Sequence, residues 1–336
     1  MKKINGECPE ICALLGLVDT YIRHRQFLQK DDRSYKHYHP SEFGKCLRRQ
    51  QYLHYTELGY LQVEKSSFES RILRLFDKGH NMHSRWTDYF DGMGILRGLW
   101  KCKNPFCMNI DDKGIVLDSS NLVSSYSKKN ETRIYGKKNV MGEFKPNLCV
   151  CGCPDFEYVE TPVISSEMNM KGRADAVLDF SGLKIGQFEG VEDSFDKSIF
   201  PKNPIVVDMK TINDYDFKNR LVKIGPHPEY VIQLTIYIHV LGCEFGVLLY
   251  ENKNDSQIKS FKIPRDDKRF EIIKDQARMM VEMASGENKL LPPPRPSSRS
   301  CYECKKCEFG SICLASSVWK DKAIDDKRQK FYKELF

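Results

Sequence analysis

The chain reads as an α/β protein, a sheet-and-helix core carrying two cysteine-rich appendages. Three observations carry that expectation. Apolar runs of strand character at 174–180, 205–211 and 245–250 alternate with helical patterns at about 229–241 and 266–284. A long helix-period stripe at 67–90 precedes them. Cysteines gather outside this alternation, at 102–153 and 301–313.

Taken in order, residues 1–40 are an N-terminal segment, helical to about residue 35, with Cys8 and Cys12 and with Leu15, Val18, Tyr21 and Ile22 at helical spacing. Residues 41–97 open the core. Ser41 is the expected N-cap of a helix that leads into Cys46-Leu47-Arg48-Arg49-Gln50-Gln51-Tyr52. In the stripe that follows, Ile72, Phe76, Gly79, His83, Trp86 and Phe90 fall within about 80° of one another at about 100° per residue, with His83 near the centre of the buried face. Residues 98–158 lose this periodicity, are rich in Lys, Asn and Gly, and read as a metal-stapled insertion. Residues 159–290 hold the strands and the two later helices. Leu291-Pro292-Pro293-Pro294-Arg295-Pro296 ends the last helix and acts as a stiff spacer into the C-terminal segment 291–336.

With 336 residues the chain can bury at least one full core, and 40% apolar with 29% charged residues is ordinary for a soluble globular protein. No apolar run reaches the roughly 18 residues of a membrane span, and Met1-Lys2-Lys3-Ile4-Asn5-Gly6-Glu7 lacks the apolar stretch of a signal peptide, so no membrane partner and a reducing cytoplasm are expected. Thirteen cysteines in such a compartment point to metal ligation rather than disulfides. A net charge of +7 over this length is only a mild bias toward a polyanionic partner.

Chemistry is suggested by Gly172-Arg173-Ala174-Asp175 at the start of one apolar strand and Asp208-Met209-Lys210 within another. Period two sends Asp208 and Lys210 to the same face. Two carboxylates make a hard oxygen site for Mg²⁺ or Mn²⁺, which can polarise a phosphodiester and acidify a bound water, while a lysine steadies that water. For a lone Asp-x-Lys, a solvated edge or an internal salt bridge is the plainer reading. The company it keeps alters that: Gly79-His80-Asn81-Met82-His83 precedes on a helix, and Gln233-Leu234-Thr235-Ile236-Tyr237 follows on another with both polar side chains on one face.

In this order the motifs resemble those of the RecB-like branch of the PD-(D/E)XK nuclease superfamily, and the likeness spans about residues 40–315. The resemblance implies a restriction-endonuclease-like PD-(D/E)XK core, a central mixed sheet flanked by helices. It implies that His83, Asp175 and Asp208, with the Met209 carbonyl, ligate Mg²⁺ or Mn²⁺. Lys210 then positions or activates the attacking water, and Gln233 and Tyr237 organise the site and the DNA strand. Asp208 stands where Glu is also common, one methylene shorter, and His80 is read as structural. Members of this branch with an iron-sulfur cluster carry one cysteine before the core and C-x2-C-x5-C after it. Cys46 with Cys304, Cys307 and Cys313 matches, with Leu47 in place of the family's proline. A 4Fe-4S cluster is therefore implied there, the alternative being local zinc on Cys301, Cys304, Cys307 and Cys313. It would tie both ends of the core together.

In the insertion, Cys102 and Cys107 with two of Cys149, Cys151 and Cys153 suit a closed structural zinc site. Cys243 reads as an ordinary buried thiol, like Cys8 and Cys12. Arg48, Arg49, Arg71, Arg74 and Arg85 flank the site, where they either hold phosphates or stay solvated. The leading expectation is a metal-dependent deoxyribonuclease, an exonuclease on single strands or duplex ends, similar to CRISPR-associated iron-sulfur exonucleases and their phage-encoded relatives. For a phage-encoded chain the location is the host cytoplasm. The rival is a non-catalytic DNA-binding or adaptor subunit. No G-x-x-x-x-G-K-[ST] loop is present, so any helicase motor, like any recombination or CRISPR-type partner, is another chain. RNA as substrate and assembly into an oligomer stay open.

Overall fold

Among the described residues, four helices precede the first strand: α1 (Pro9–Leu28), α2 (Pro40–Phe43), α3 (Leu47–Glu57) and α4 (Ser70–Gly92). The structure is a computed structural model that describes residues 9–28, 34–62, 69–104, 107, 116–117, 122–127, 132–135, 141–149, 151–184, 197–286, 291–292, 304 and 307–315. Cys8, Cys301 and the spacer beyond Pro292 lie outside the described residues, as does the side chain of Cys12. Strands β1 (Leu96–Cys102), β2 (Val116–Leu117), β3 (Leu122–Ser127), β4 (Thr132–Tyr135), β5 (Glu143–Phe144), β6 (Phe156–Val159), β7 (Thr161–Ser165), β8 (Met170–Ala174) and β9 (Ala176–Leu178) follow. The chain then forms β10 (Ile205–Ile212), the short helix α5 (Asp214–Asp216), α6 (Pro228–Leu241), β11 (Phe245–Asn252), β12 (Ile258–Pro264) and α7 (Asp267–Ser285).

The main sheet runs β12-β11-β10-β9-β1-β4-β3-β2, with β5 and β6 also paired to β1 and with β7 and β8 forming a separate hairpin. β10 and β11 are parallel, and the other named pairs are antiparallel. A mixed sheet flanked by helices is thus present. β10 is buried at six of its eight positions because both its faces are covered. Val207 and Met209 pack in the cluster that holds Met82 and Phe90 of α4. Val206 packs on the other side with Leu234, Tyr237 and Ile238 of α6. α7 lies beyond α6, where Ile273, Ala277 and Met280 meet Ile232 and Ile236 and cover Phe43 and Leu47. No helix among the described residues is long and apolar enough to cross a membrane.

Three sequence expectations shift. Ser41 lies inside the first helical turn, because Pro40, whose fixed φ suits the first helical position, starts α2 after His39. The stripe on α4 is narrower at its N-terminal half: Leu73, Met82 and Phe90 are buried, whereas Phe76 is 46% exposed. There α4 is met by α1 through the Arg25–Asp77 ion pair at 2.7 Å and the Arg74–Asp19 pair. The boundary expected at residue 98 falls within β1, which pairs β9 through Leu96 and Arg97 and pairs β6 through Leu99 to Cys102. One strand therefore belongs to both the core sheet and the cysteine-rich region.

β1 can do this because Gly98 leaves room for a ring. A Cβ on Gly98 would lie 2.2 Å from Cε2 of Tyr158, and Tyr158 stacks edge-on against Trp100 with ring centroids 5.5 Å apart. Gly98→Ala is accordingly expected to lower unfolding free energy by about 1–3 kcal/mol, measured by chemical denaturation. A substitution neutral within error would contradict this packing.

Candidate active site

Asp175 is the single residue between β8 and β9. Its side chain continues the pairing that the strand break interrupts: Oδ2 accepts the Met209 backbone N–H at 2.6 Å. The Tyr158 hydroxyl donates to the Asp175 carbonyl at 3.1 Å, which holds the backbone on its other side. Gly172, three residues earlier, sits where Pro40 and Tyr237 close in at 3.0 and 3.5 Å from its Cβ position, so the small residue in this motif has a packing reason.

His83 reaches the same place from α4. Its Nε2 lies 3.0 Å from the Met209 carbonyl oxygen, and its Nδ1 lies 3.7 Å from Asp175 Oδ1. A carbonyl only accepts, so Nε2 carries the hydrogen and donates. That leaves Nδ1 facing a carboxylate, an arrangement that a cation or a further proton has to mediate. His80, one helical step away, is exposed.

Glu160, in the link between β6 and β7, completes the group. His83, Glu160 and Asp175 each offer a ligand atom within 4.8 Å of the others. Burial raises the Glu160 carboxyl above the ordinary range and the Asp175 charge adds to that, against the pull of Arg173, His83 and Lys210. Two carboxylates and an imidazole nitrogen at this separation form a hard donor set that fits a divalent cation. Sequence reasoning did not name Glu160. The signal was the alternation Phe156, Tyr158, Glu160, which puts the acid on the face of buried Phe156 and half-buried Tyr158.

Asp208 lies beside this group with a different set of contacts. Its side chain is fully buried, and Oδ1 accepts from Lys210 Nζ at 2.9 Å and from Gln233 Nε2 at 3.0 Å. Oδ2 also lies 2.9 Å from Nζ but accepts no hydrogen bond. Gln233 Nε2 donates as well to the Tyr237 hydroxyl oxygen at 3.0 Å, so the two α6 residues expected to organise the site both act around Asp208. Burial pushes the Asp208 carboxyl up to about 6, with Lys210 pulling against it. Burial pulls the Lys210 ammonium down, but Asp208 and Asp175 more than offset it, and the group stays above the usual lysine value. The Tyr230 ring lies 4.9 Å from Nζ and closes one side.

The arginines near the site are largely engaged within the protein. Arg49 pairs with Glu308 at 2.7 Å and Glu42 at 2.8 Å, Arg74 with Asp19, and Arg85 with Glu251. Arg48 is 4% exposed, and Arg71 points to solvent.

Of the cysteines, Cys102, Cys107, Cys149 and Cys151 form a mostly buried group with thiols within 4.8 Å of one another. Cys153 stands apart, its Sγ 3.6 Å from the Asp155 carbonyl. Among the described residues, Cys46, Cys304, Cys307 and Cys313 form no comparable ligand group. The segment carrying the last three nevertheless docks on α3 just after Cys46, through Arg49–Glu308 and a Tyr52–Phe309 stack with centroids 5.0 Å apart. Cys307 lies within electrostatic reach of Cys46 there, and burial pushes its thiol up to about 11. Cys243 is buried and its thiol is likewise pushed up to about 11.

No family model matches the chain, and no curated protein matches it. Among solved structures, the crystal structure of SSO0001 is similar with a TM-score of 0.40 at 15% identity, over 90% of this chain and 97% of that one. An alkaline exonuclease (LHK-Exo) from Laribacter hongkongensis gives a weak, partial likeness, with a TM-score of 0.27 at 14% identity over 37% of this chain and 55% of that one.

Glu251 shows how firmly Arg85 is held. Burial works against the Glu251 charge, but Arg85 and the Trp86 indole, whose Nε1 donates at 2.8 Å, more than offset it and hold the carboxyl below the ordinary range. A depressed carboxyl contributes stability above its unfolded value of about 4.5 and loses it as pH falls through the folded value. Glu251→Gln is expected to cost about 1.5–3 kcal/mol at neutral pH, with the gap to wild type closing on acidification. Denaturant titrations across pH read this directly, and a gap that persists in acid would contradict it.

Proposed function

We propose that the chain is a Mg²⁺- or Mn²⁺-dependent deoxyribonuclease, an exonuclease acting on single-stranded DNA or duplex ends. The observation that supports it is the convergence of His83, Glu160 and Asp175 within 4.8 Å beside a lysine braced on a buried aspartate. In this reading His83, Glu160 and Asp175 hold the cation, with the Met209 carbonyl and Asp208 adjoining. When bound, the cation polarises the scissile phosphodiester and acidifies a water.

The remaining work falls to the chain's own side chains. Lys210, held protonated by Asp208 and Asp175, donates hydrogen bonds and does not accept a proton. It fits the role of orienting the attacking water and stabilising charge that develops on the phosphate. Gln233 fixes the Asp208 carboxylate, and therefore Lys210, from α6. Tyr237, 3% exposed, acts only through Gln233. A non-catalytic DNA-binding module has little use for such an arrangement, because burying Asp208 and Lys210 side by side costs several kcal/mol that binding alone does not require.

The cysteines enter the same reading as structural cofactor sites. Cys102, Cys107, Cys149 and Cys151 take Zn²⁺, a role supported by their mutual approach. Cys46, Cys304, Cys307 and Cys313 take a 4Fe-4S cluster, a role supported by the docking of the C-terminal segment beside Cys46. Anaerobically purified protein is expected to be brown with about four irons per chain, and Cys307→Ser to be colourless. Colourless wild-type protein with a second zinc would overturn the cluster.

Activity is tested by digesting end-labelled single-stranded, duplex and circular DNA with Mg²⁺ or Mn²⁺. Lys210→Ala would strand a buried carboxylate, so Lys210→Gln, which keeps a donor, is the cleaner variant. It is expected to cut about 100- to 1000-fold more slowly with an unchanged circular dichroism spectrum. Linear DNA should be degraded and circular DNA spared. Wild-type rates in Lys210→Gln, or no cleavage of any substrate by wild type, would reject the proposal.

A further inference from the structure

The four-cysteine group and the His83, Glu160, Asp175 group are joined by one strand pair. Cys102 is the last residue of β1 and pairs with Phe156, the first residue of β6. The ladder continues through Lys101 with Glu157, Trp100 with Tyr158 and Leu99 with Val159. Glu160 is the next residue. At about 3.3 Å per residue, the cysteine group closes one end of a ladder whose other end, about 13 Å away, presents a ligand of the cation site.

The cysteine end has the geometry of a metal site. Cys102 and Cys151 Sγ atoms are 3.7 Å apart, and those of Cys107 and Cys149 are 3.6 Å apart. A tetrahedral ion with metal–sulfur bonds of about 2.3 Å needs sulfur–sulfur edges of about 3.8 Å. Asn104 donates twice to sulfur, from its backbone N–H to Cys102 and from Nδ2 to Cys151, each at 3.4 Å. Such donors stabilise thiolates bound to a cation. Gly152, with φ of 79°, turns the chain just after the ligand Cys151, and its N–H bonds the Cys149 carbonyl at 2.8 Å.

The middle of the ladder is fixed at a second point. The Tyr158 hydroxyl bonds the Asp175 carbonyl at 3.1 Å, and its ring fills the space left by Gly98. β6 is only four residues long, and four residues of ladder without a closed end fray readily. Holding Cys102 to Cys151 holds the β6 end in register, and that register decides where Glu160 points.

We infer that Zn²⁺ in the Cys102, Cys107, Cys149, Cys151 site positions Glu160, so that filling the thiolate site sets the affinity of the His83, Glu160, Asp175 site for its divalent cation. This rests on the reading of both groups as metal sites, and extends it to a coupling between them. Glu160 is the residue through which the coupling acts, and the cysteines are positioning residues.

A double-mutant cycle on the full chain tests it, with zinc content read by elemental analysis and Mn²⁺ affinity by electron paramagnetic resonance titration. Wild type is expected to carry one zinc. Cys151→Ser should lose it and bind Mn²⁺ about tenfold more weakly, as should Glu160→Gln with its zinc retained. The double variant should bind Mn²⁺ no more weakly than Glu160→Gln alone. Cys151→His, which restores a zinc ligand, should recover both zinc and Mn²⁺ affinity.

Wild type that holds no zinc and takes up none, or zinc loss without a change in Mn²⁺ affinity, overturns the inference. Additive losses in the double variant overturn it too. If Cys151→Ser does not fold, zinc is withdrawn from wild type with a zinc-selective chelator, and global unfolding on withdrawal also counts against a local coupling. Failure of the nuclease reading is separate: wild type that binds Mn²⁺ in a zinc-dependent way but cuts no DNA loses the activity and keeps the coupling.

Discussion

The hydrogen bond from the Met209 backbone to the Asp175 carboxylate is the contact on which the site's geometry depends. At 2.6 Å it replaces a ladder bond where β8 gives way to β9, and it fastens the aspartate to the strand that carries Asp208 and Lys210. The carbonyl of the same residue, which belongs to the next peptide unit, receives His83. One residue of β10 thereby registers α4 and the β8–β9 break against each other. Its own side chain is buried in the apolar cluster below. A change that shifts the Met209 backbone displaces an imidazole and a carboxylate together.

Around that contact the protein tolerates charge burial that a merely structural sheet would avoid. Asp208 is wholly shielded from water and is held by an ammonium and an amide. Such pairs rarely add stability compared with apolar replacements, since desolvation consumes most of the attraction. Elsewhere ion pairs sit at partly exposed positions, with Arg49 of α3 and Arg74 of α4 neutralised by Glu308 and Asp19. Local violations of an otherwise consistent design are expected at functional or strained sites.

Much of this was legible beforehand for a physical reason. Helices and strands impose periods of 3.6 and 2, so Gln233 with Tyr237 and Asp208 with Lys210 share faces whatever the tertiary context. β10, β11, α6 and α7 likewise follow from apolar periodicity and fall within a few residues of the expected bounds. Alternation puts Glu160 on one face with Phe156 and Tyr158, but its meeting with His83 and Asp175 was not legible, because that depends on β6 pairing with a strand more than fifty residues earlier. The same holds for the choice among Cys149, Cys151 and Cys153, which the Gly152 turn decides. The arginines misled for the converse reason: sequence gives their charge but not the acids Glu308 and Glu251 that fold back onto them.

In the proposed function, three side chains from separate elements share one cation. Anomalous diffraction from crystals soaked in Mn²⁺ tests it most directly. An anomalous peak bonded to His83 Nδ1 and to the carboxylates of Glu160 and Asp175 is expected. A strong peak elsewhere, with those three side chains turned away from one another, would contradict it.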